Sequence, residues 1–236
     1  MKKDRAAHHF GAPLFCKVRA LSYLYDSKKS ITMEFVKTDI PGVLIVEPKV
    51  FNDPRGYFFE SFSQREFEEK AAWQVTGATA SGTTSPQYAG TAAITFVQDN
   101  ESRSKYGVLR GLHFQKPPFA QSKLVRVAAG KVLDVAVDIR KGSPTYGRHV
   151  AVELSAEHHR MLFLPRGMAH GFSVLSEDVI FQYKCDSFYC PQSEGAIAWN
   201  DPDLGIDWKI PADKVILSEK DSHHPLFRDF DSPFIY

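Results

Sequence analysis

Arg110 and His113 stand three apart in the run Val108-Leu109-Arg110-Gly111-Leu112-His113-Phe114-Gln115, which alternates like a strand. Further along come His170 between Ala169 and Gly171, Tyr183 beside Lys184, and Asp221 after Lys220. An imidazole works as a general base near neutral pH, and a phenol works as a proton donor. A carboxylate can hold the imidazole in one tautomer, and cations such as Arg110 and Lys123 suit anionic oxygens. Such a set fits carbon-acid chemistry on a charged small molecule, and it requires no metal.

Each of these residues also has a plainer reading. A lone histidine is more often a core residue bonded to a carbonyl. What favours a site at His113 is Arg110, because a buried guanidinium is costly without an anionic partner. Positions three apart in a strand face opposite sides, so a bulge or a strand end must bring the two into one pocket. Asp221 reads equally as a surface charge, and nothing in the sequence sets it beside His113. Tyr183, judged by spacing alone, is a structural tyrosine at a barrel mouth. Lys123 opens a strand after the Pro117-Pro118 loop and suits an inward or a rim position equally. The glycines around His170 mark either a turn or a close approach to a ligand.

A metal centre is the main competing chemistry. His113, His149, Glu153 and His170 resemble the inventory of a metal-binding jelly roll. Gln115 stands where an HxH pair needs its second histidine, and no glutamate follows at a matching distance. The sequence therefore yields no complete ligand set for Zn, Fe or Mn. Paired carboxylates, a GxSxG elbow and a glycine-rich phosphate loop are also absent.

The elements that must position these groups are short strands. Met33 opens a β-type pattern, with Phe35–Ile40 and Val43–Val50, then turn chemistry at Asn52–Gly56 and a strand at Tyr57–Phe62. Ser63 caps a short helix to about Ala72, with Glu66 at the capping-box position. Beyond a Thr/Ser/Gly/Ala-rich surface loop at Gly77–Ala93, strands are expected at Ile94–Gln98, Val108–Phe114, Lys123–Ala128 and Val132–Ile139. Four more follow at His149–Leu154, Arg160–Leu164, Gly171–Leu175 and Val179–Cys185. Many short strands without helical alternation predict a mainly β protein, an antiparallel sandwich or barrel of the jelly-roll kind with short peripheral helices. The last segment, with Trp199 and Trp208, should wrap the barrel. Residues 1–32 are basic and aperiodic and read as a flexible extension, leaving 33–236 as one domain.

With 29 basic against 28 acidic residues, the chain has no overall charge to attract nucleic acid or an anionic membrane. Cys16, Cys185 and Cys190 form neither a disulfide framework nor a CxxC motif. No apolar run approaches the roughly 20 residues of a membrane span, and the first residues make a poor signal peptide. A cytoplasmic location is the expectation.

From about Phe35 to Asp221 the chain resembles the dTDP-4-dehydrorhamnose 3,5-epimerase family. The resemblance rests on Asp53–Glu60, Phe96–Asn100, Val108–Gln115, Gln121–Val125, Asp134–Thr145, Pro165–Phe172 and Trp199–Asp201. It implies a homodimeric cupin with shared active sites that binds a dTDP-4-keto-6-deoxyhexose and needs no cofactor. By matching position, His113 is implied as the base, oriented by Asp221, Tyr183 as the acid, and Lys123 as the cation at the enolate oxygen. Arg110 and His170 would contact substrate, and Arg55, Glu60, Gln98, Asp99 and Asn100 the nucleotide, partly in the neighbouring subunit's pocket. Glu194 and Lys220 match further binding positions, and Tyr189 would stack on thymine. The resemblance leaves open whether both C3 and C5 are inverted or only one.

Overall fold

The computed structural model describes residues 33–71 and 94–236, which belong to one compact unit. The expected extension at 1–32 and the Gly77–Ala93 loop lie outside the described residues.

Strands are numbered in chain order. One sheet has six, in the order β1 (Glu34–Lys37), β2 (Leu44–Glu47), β11 (Met161–Leu164), β7 (Lys123–Ala129), β13 (Asp178–Cys185) and β5 (Gln98–Lys105). The other has five, in the order β10 (His149–Ser155), β8 (Lys131–Asp138), β12 (Met168–Val174), β6 (Leu109–Gln115) and β14 (Glu194–Ala196). Every pairing within these two sheets is antiparallel. A hairpin of β3 (Phe51–Asp53) and β4 (Gly56–Phe58) stands apart, and β9 (Arg140–Lys141) pairs in parallel with β15 (Phe234–Ile235). The mainly β, antiparallel jelly-roll expectation holds.

The period-two pattern shows how the sheets meet. Val125, Val127 and Phe181 of the first sheet form one buried cluster with Ala136, Phe172 and Val174 of the second. Phe172 and Phe181 stack across this interface with ring centroids 4.2 Å apart. Burying a side chain of this kind contributes about 1.5–3 kcal/mol. The opposite face of the second sheet, with Leu112, Val135 and Val137, is covered by Ile197, Leu204, Trp208 and Phe234. The C-terminal segment therefore wraps the barrel as expected, and β12 is buried along its whole length. Helix α1 (Gln64–Lys70) covers the outer face of the first sheet, where Phe67 meets Phe163 edge-on at 5.1 Å. Ser63 caps it, accepting from the Glu66 amide, while the Glu66 carboxylate accepts from the Met33 amide.

Two expected strands lie elsewhere. The run expected at Ile94–Gln98 is not a strand until Gln98, and the strand extends through the polar residues to Lys105. As an edge strand with a mostly exposed face, it carries little apolar pattern to read. The Tyr57–Phe62 strand shortens to Gly56–Phe58, with both its aromatic side chains exposed.

Candidate active site

Pairing register decides which side chains face the space between the sheets. In the second sheet His113 pairs with His170, His170 with Ala136, and Phe172 with both Asp134 and Arg110. Ala136 and Phe172 belong to the cluster between the sheets. Asp134, His170, Arg110 and His113 therefore face inward, because Cα partners in a ladder share a face. The register shifts between His170 and Phe172, so two residues of β6 lie opposite the single Gly171. This is the bulge that the Arg110–His113 spacing demanded. Gly111 adopts φ +128°, and a Cβ there would sit 2.5 Å from the Gly171 Cα. Only glycine fits this crossing. Glu194 of β14 pairs with Gln115, two residues beyond His113, and shares the same face.

In the first sheet Lys123 pairs with Cys185 and Leu164, and Tyr183 with Val125 and Asn100. Val125 and Leu164 are in the inner cluster, and Tyr183 packs against it. Lys123, Tyr183, Gln98 and Asn100 therefore face His113 and His170 from the opposite sheet. The Lys123 ammonium lies 5.7 Å from the centre of the Tyr183 ring. Asp99, between Gln98 and Asn100, points to the other face and pairs with Lys184 at 2.7 Å. Alternation splits a run that the sequence reading treated as one contact.

The bonds around His113 come from the C-terminal segment. Its Nε2 lies 2.5 Å from Oδ1 of Asp221, whose side chain is buried. Burial alone would raise the Asp221 carboxyl. The His113 hydrogen bond and charge, with Ser218 and His224, outweigh it and hold the group below the usual carboxylate value. On the neighbouring strand, His170 Nε2 lies 3.0 Å from Asp134, which is fully buried. Tyr183 is pushed up, chiefly by burial, so it remains a protonated donor at neutral pH. Lys123 is pulled down by burial, opposed by the negative charges of Asp134 and Glu194. Burial pushes the Cys185 thiol up to about 11, so at neutral pH it supplies Lys123 with no anion.

Arg110 corrects the sequence reading. It is exposed, not buried, and its Nη2 donates to Ser104 Oγ at 3.1 Å. No carboxylate pairs with it among the described residues. Solvent carries the guanidinium, and burial cost gives no argument for its partner.

A cleft of about 450 Å³ is lined by His113, Glu194, Lys220 and His224, among others. Glu194 accepts from Lys220 and from the Tyr189 hydroxyl, the latter at 3.0 Å. Tyr189 is exposed and its amide donates to Gln98 Oε1. Tyr183 is not in the cleft lining. It borders a hollow on the outer face of the first sheet with Asp99, Gln182 and Lys184. Its ring nevertheless points inward, 6.2 Å from the Phe181 ring and against Lys123. Arg55 sits on the β3–β4 hairpin, paired with Asp53 at 2.5 Å, and it does not line the cleft. Glu60 follows the hairpin and is half-buried.

Two residues of the site were missed. Asp134 had a signal, an acidic residue within the apolar run Val132–Val137. His224 had none beyond its place three residues after Asp221, and only the fold brings its Nε2 to 3.3 Å from Asp221 Oδ1.

The family model described as dTDP-4-dehydrorhamnose 3,5-epimerase matches residues 37–229. A relative of that name from Salmonella typhimurium is 52% identical over 194 residues, 82% of this chain and 95% of its own. The crystal structure of the enzyme of that name from Elizabethkingia anophelis aligns with a TM-score of 0.73 at 49% identity, over 84% of this chain and 97% of that one. A dTDP-6-deoxy-D-glucose-3,5-epimerase from Legionella pneumophila, solved in complex with dTDP-4-keto-L-rhamnose, aligns at 0.73 with 45% identity, over 84% and 95%. Inward-facing acid–base groups and a family match across most of the chain lead to the same place: this chain belongs to the dTDP-4-dehydrorhamnose 3,5-epimerase family.

Proposed function

We propose that the chain converts dTDP-4-dehydro-6-deoxy-glucose to dTDP-4-dehydro-L-rhamnose by epimerising C3 and C5, in dTDP-L-rhamnose biosynthesis. One observation carries this reading. A carboxylate-bonded imidazole on one sheet faces a protonated phenol on the other, with an ammonium against the phenol.

The ketone at C4 acidifies the protons at C3 and C5, because the carbanion delocalises into an enolate. His113 takes the proton, and Asp221 stabilises the imidazolium that forms. Lys123 offers its charge to the enolate oxygen, a preorganised electrostatic contribution. Tyr183 returns a proton from the opposite face, which inverts the centre without redox chemistry. His170, braced by Asp134, and Arg110 supply donors to the hexose and the pyrophosphate. Tyr189, Glu194 and Lys220 form the rim that meets the nucleotide.

Arg55, Glu60, Gln98 and Asn100 complete the nucleotide site in a homodimer, while Asp99 is taken up by Lys184 on the other face. The exposed Tyr57 and Phe58 on the hairpin that carries Arg55 support a second subunit there. Among the described residues no helix is long and apolar enough to cross a membrane, and a cytoplasmic location is part of the same proposal.

Incubation with dTDP-4-keto-6-deoxyglucose in heavy water, followed by NMR, tests the reading. Deuterium at both C3 and C5 with the L-rhamno product is expected. Incorporation at one carbon alone would reduce the activity to a single-centre epimerase.

A further inference from the structure

His224 has no part in the mechanism above, yet it completes a set of donors. His113, Asp221 and His224 each offer a ligand atom, all within 4.8 Å of one another. The rings of His113 and His224 meet edge-on at 5.9 Å, and both residues line the cleft, which gives an ion a route in. Asp221 is buried beneath them and His224 is nearly so, with its side chain 12% exposed. The neighbouring His223 does not compete, since its Nδ1 is bonded to Ser222 Oγ and the Glu219 carbonyl.

We propose that His113, Asp221 and His224 form a binding site for a divalent ion of the zinc class, and that the bound ion switches the base off. Two imidazole nitrogens and one carboxylate oxygen are a donor set that suits zinc, with a fourth position left to water. Bonds of about 2.0–2.1 Å place tetrahedral ligands roughly 3.3 Å apart. The His113–Asp221 pair therefore opens from 2.5 Å, the Asp221–His224 pair already stands at 3.3 Å, and rotation of the partly exposed His113 ring closes the remaining gap.

The tautomer explains the inhibition. In the working dyad His113 Nε2–H donates to Asp221, which leaves a lone pair on Nδ1 to accept the proton from carbon. The ion takes the Nε2 lone pair, so the one proton of the neutral ring must reside on Nδ1. No proton is gained or lost by the ring, but the atom that should accept one now carries one. The ion sits on the Nε2 side of the His113 ring, away from the Nδ1 that meets carbon.

The inference rests on His113 as the base, but its site is tested separately from that reading. Titrating Zn²⁺ alone into the full chain, followed by calorimetry, should show one equivalent bound. His224→Ala and His224→Gln should each weaken it at least tenfold, since each removes a direct ligand and even an outer-shell partner is worth roughly 10- to 100-fold. In the wild type, Zn²⁺ at site-filling concentrations should stop solvent exchange at carbon while dTDP binding is unchanged. Each variant, scored against its own zinc-free rate, should need at least tenfold more Zn²⁺ than the wild type to lose exchange. Absence of a single-equivalent site, or equal Zn²⁺ binding and inhibition in wild type and both variants, overturns the proposal; the latter would place the ion on a thiol. If the wild type shows no exchange at all, the function fails and the calorimetry still decides the site.

Discussion

Asp221→Asn tests the dyad most sharply, because it keeps the shape and removes the charge. Asp221 Oδ1 is 2.5 Å from His113 Nε2; its side chain is buried while the imidazole is 41% exposed, so water screens the pair only in part. Taking the charge centres about 4 Å apart at an effective dielectric near 20, the carboxylate favours the imidazolium by about 4 kcal/mol. That imidazolium exists only after proton abstraction, so the loss falls on the transition state and not on binding. About 4 kcal/mol corresponds to roughly a thousandfold fall in kcat. The asparagine amide adds to the damage when its NH₂ faces Nε2, since the ring must then turn its lone pair away from substrate. Steady-state kinetics with the dTDP-4-keto sugar should show kcat reduced about 10³-fold with KM within a few-fold of wild type, and deuterium uptake at carbon should fall in parallel. A loss under tenfold, or one expressed mainly in KM, would mean that Asp221 holds the C-terminal turn in place and does not tune the base.

Tyr183→Phe should leave solvent exchange at carbon in place but lower formation of the inverted product by roughly 10²- to 10⁴-fold, read by NMR of one reaction. Lys123→Met should cost on the order of 10²- to 10³-fold in kcat with dTDP affinity retained. Because burial lowers the Lys123 pKa, its ammonium is lost at a lower pH than an ordinary lysine's, so wild-type kcat should decline on the alkaline side before the usual lysine range. Asp138→Asn should lower the melting temperature by on the order of 10 °C, since it leaves the buried Arg140 without its carboxylate, a loss of about 3–5 kcal/mol. Burial alone would raise Asp138, but bonds from Arg140, Ser143 and Thr145 hold its carboxyl below the ordinary 3.8. Its stabilisation is therefore full above that value and lost as pH falls through the folded one, so scanning calorimetry should show the gap between wild type and variant closing below about pH 4.

The strands with apolar alternation were legible because period two reports a half-buried face directly. Lys123–Ala128, Val132–Ile139 and Val179–Cys185 each fall within a residue or so of the observed strand. The edge strand Gln98–Lys105 was not legible, since its order comes from pairing with β13 and not from burial. The proposed base and acid, His113 and Tyr183, could be named as residue types at plausible positions. Their relation could not, because His113 and Asp221 are 108 residues apart and their contact is made by the C-terminal wrap. Arg110 was misjudged for a related reason. Sequence pattern distinguishes the two faces of a strand, but not the closed end of a barrel from its mouth.

The bulge at Gly111 shows why the motif takes the form it does. A regular strand would put Arg110 and His113 on opposite faces, one among the core and one behind it. Setting two β6 residues against Gly171 restores both to the inner face, and the crossing is close enough that a Cβ on Gly111 would meet the His170 carbonyl at 2.8 Å. The glycine pair thus sets the phase of the strand on either side of it. Arg110 is exposed and keeps its charge in water. Beyond the crossing, His113 pairs with His170 beneath the C-terminal turn that brings Asp221. That backbone step is what lets one seven-residue strand set an exposed guanidinium and, three positions on, a carboxylate-bonded imidazole on the same face.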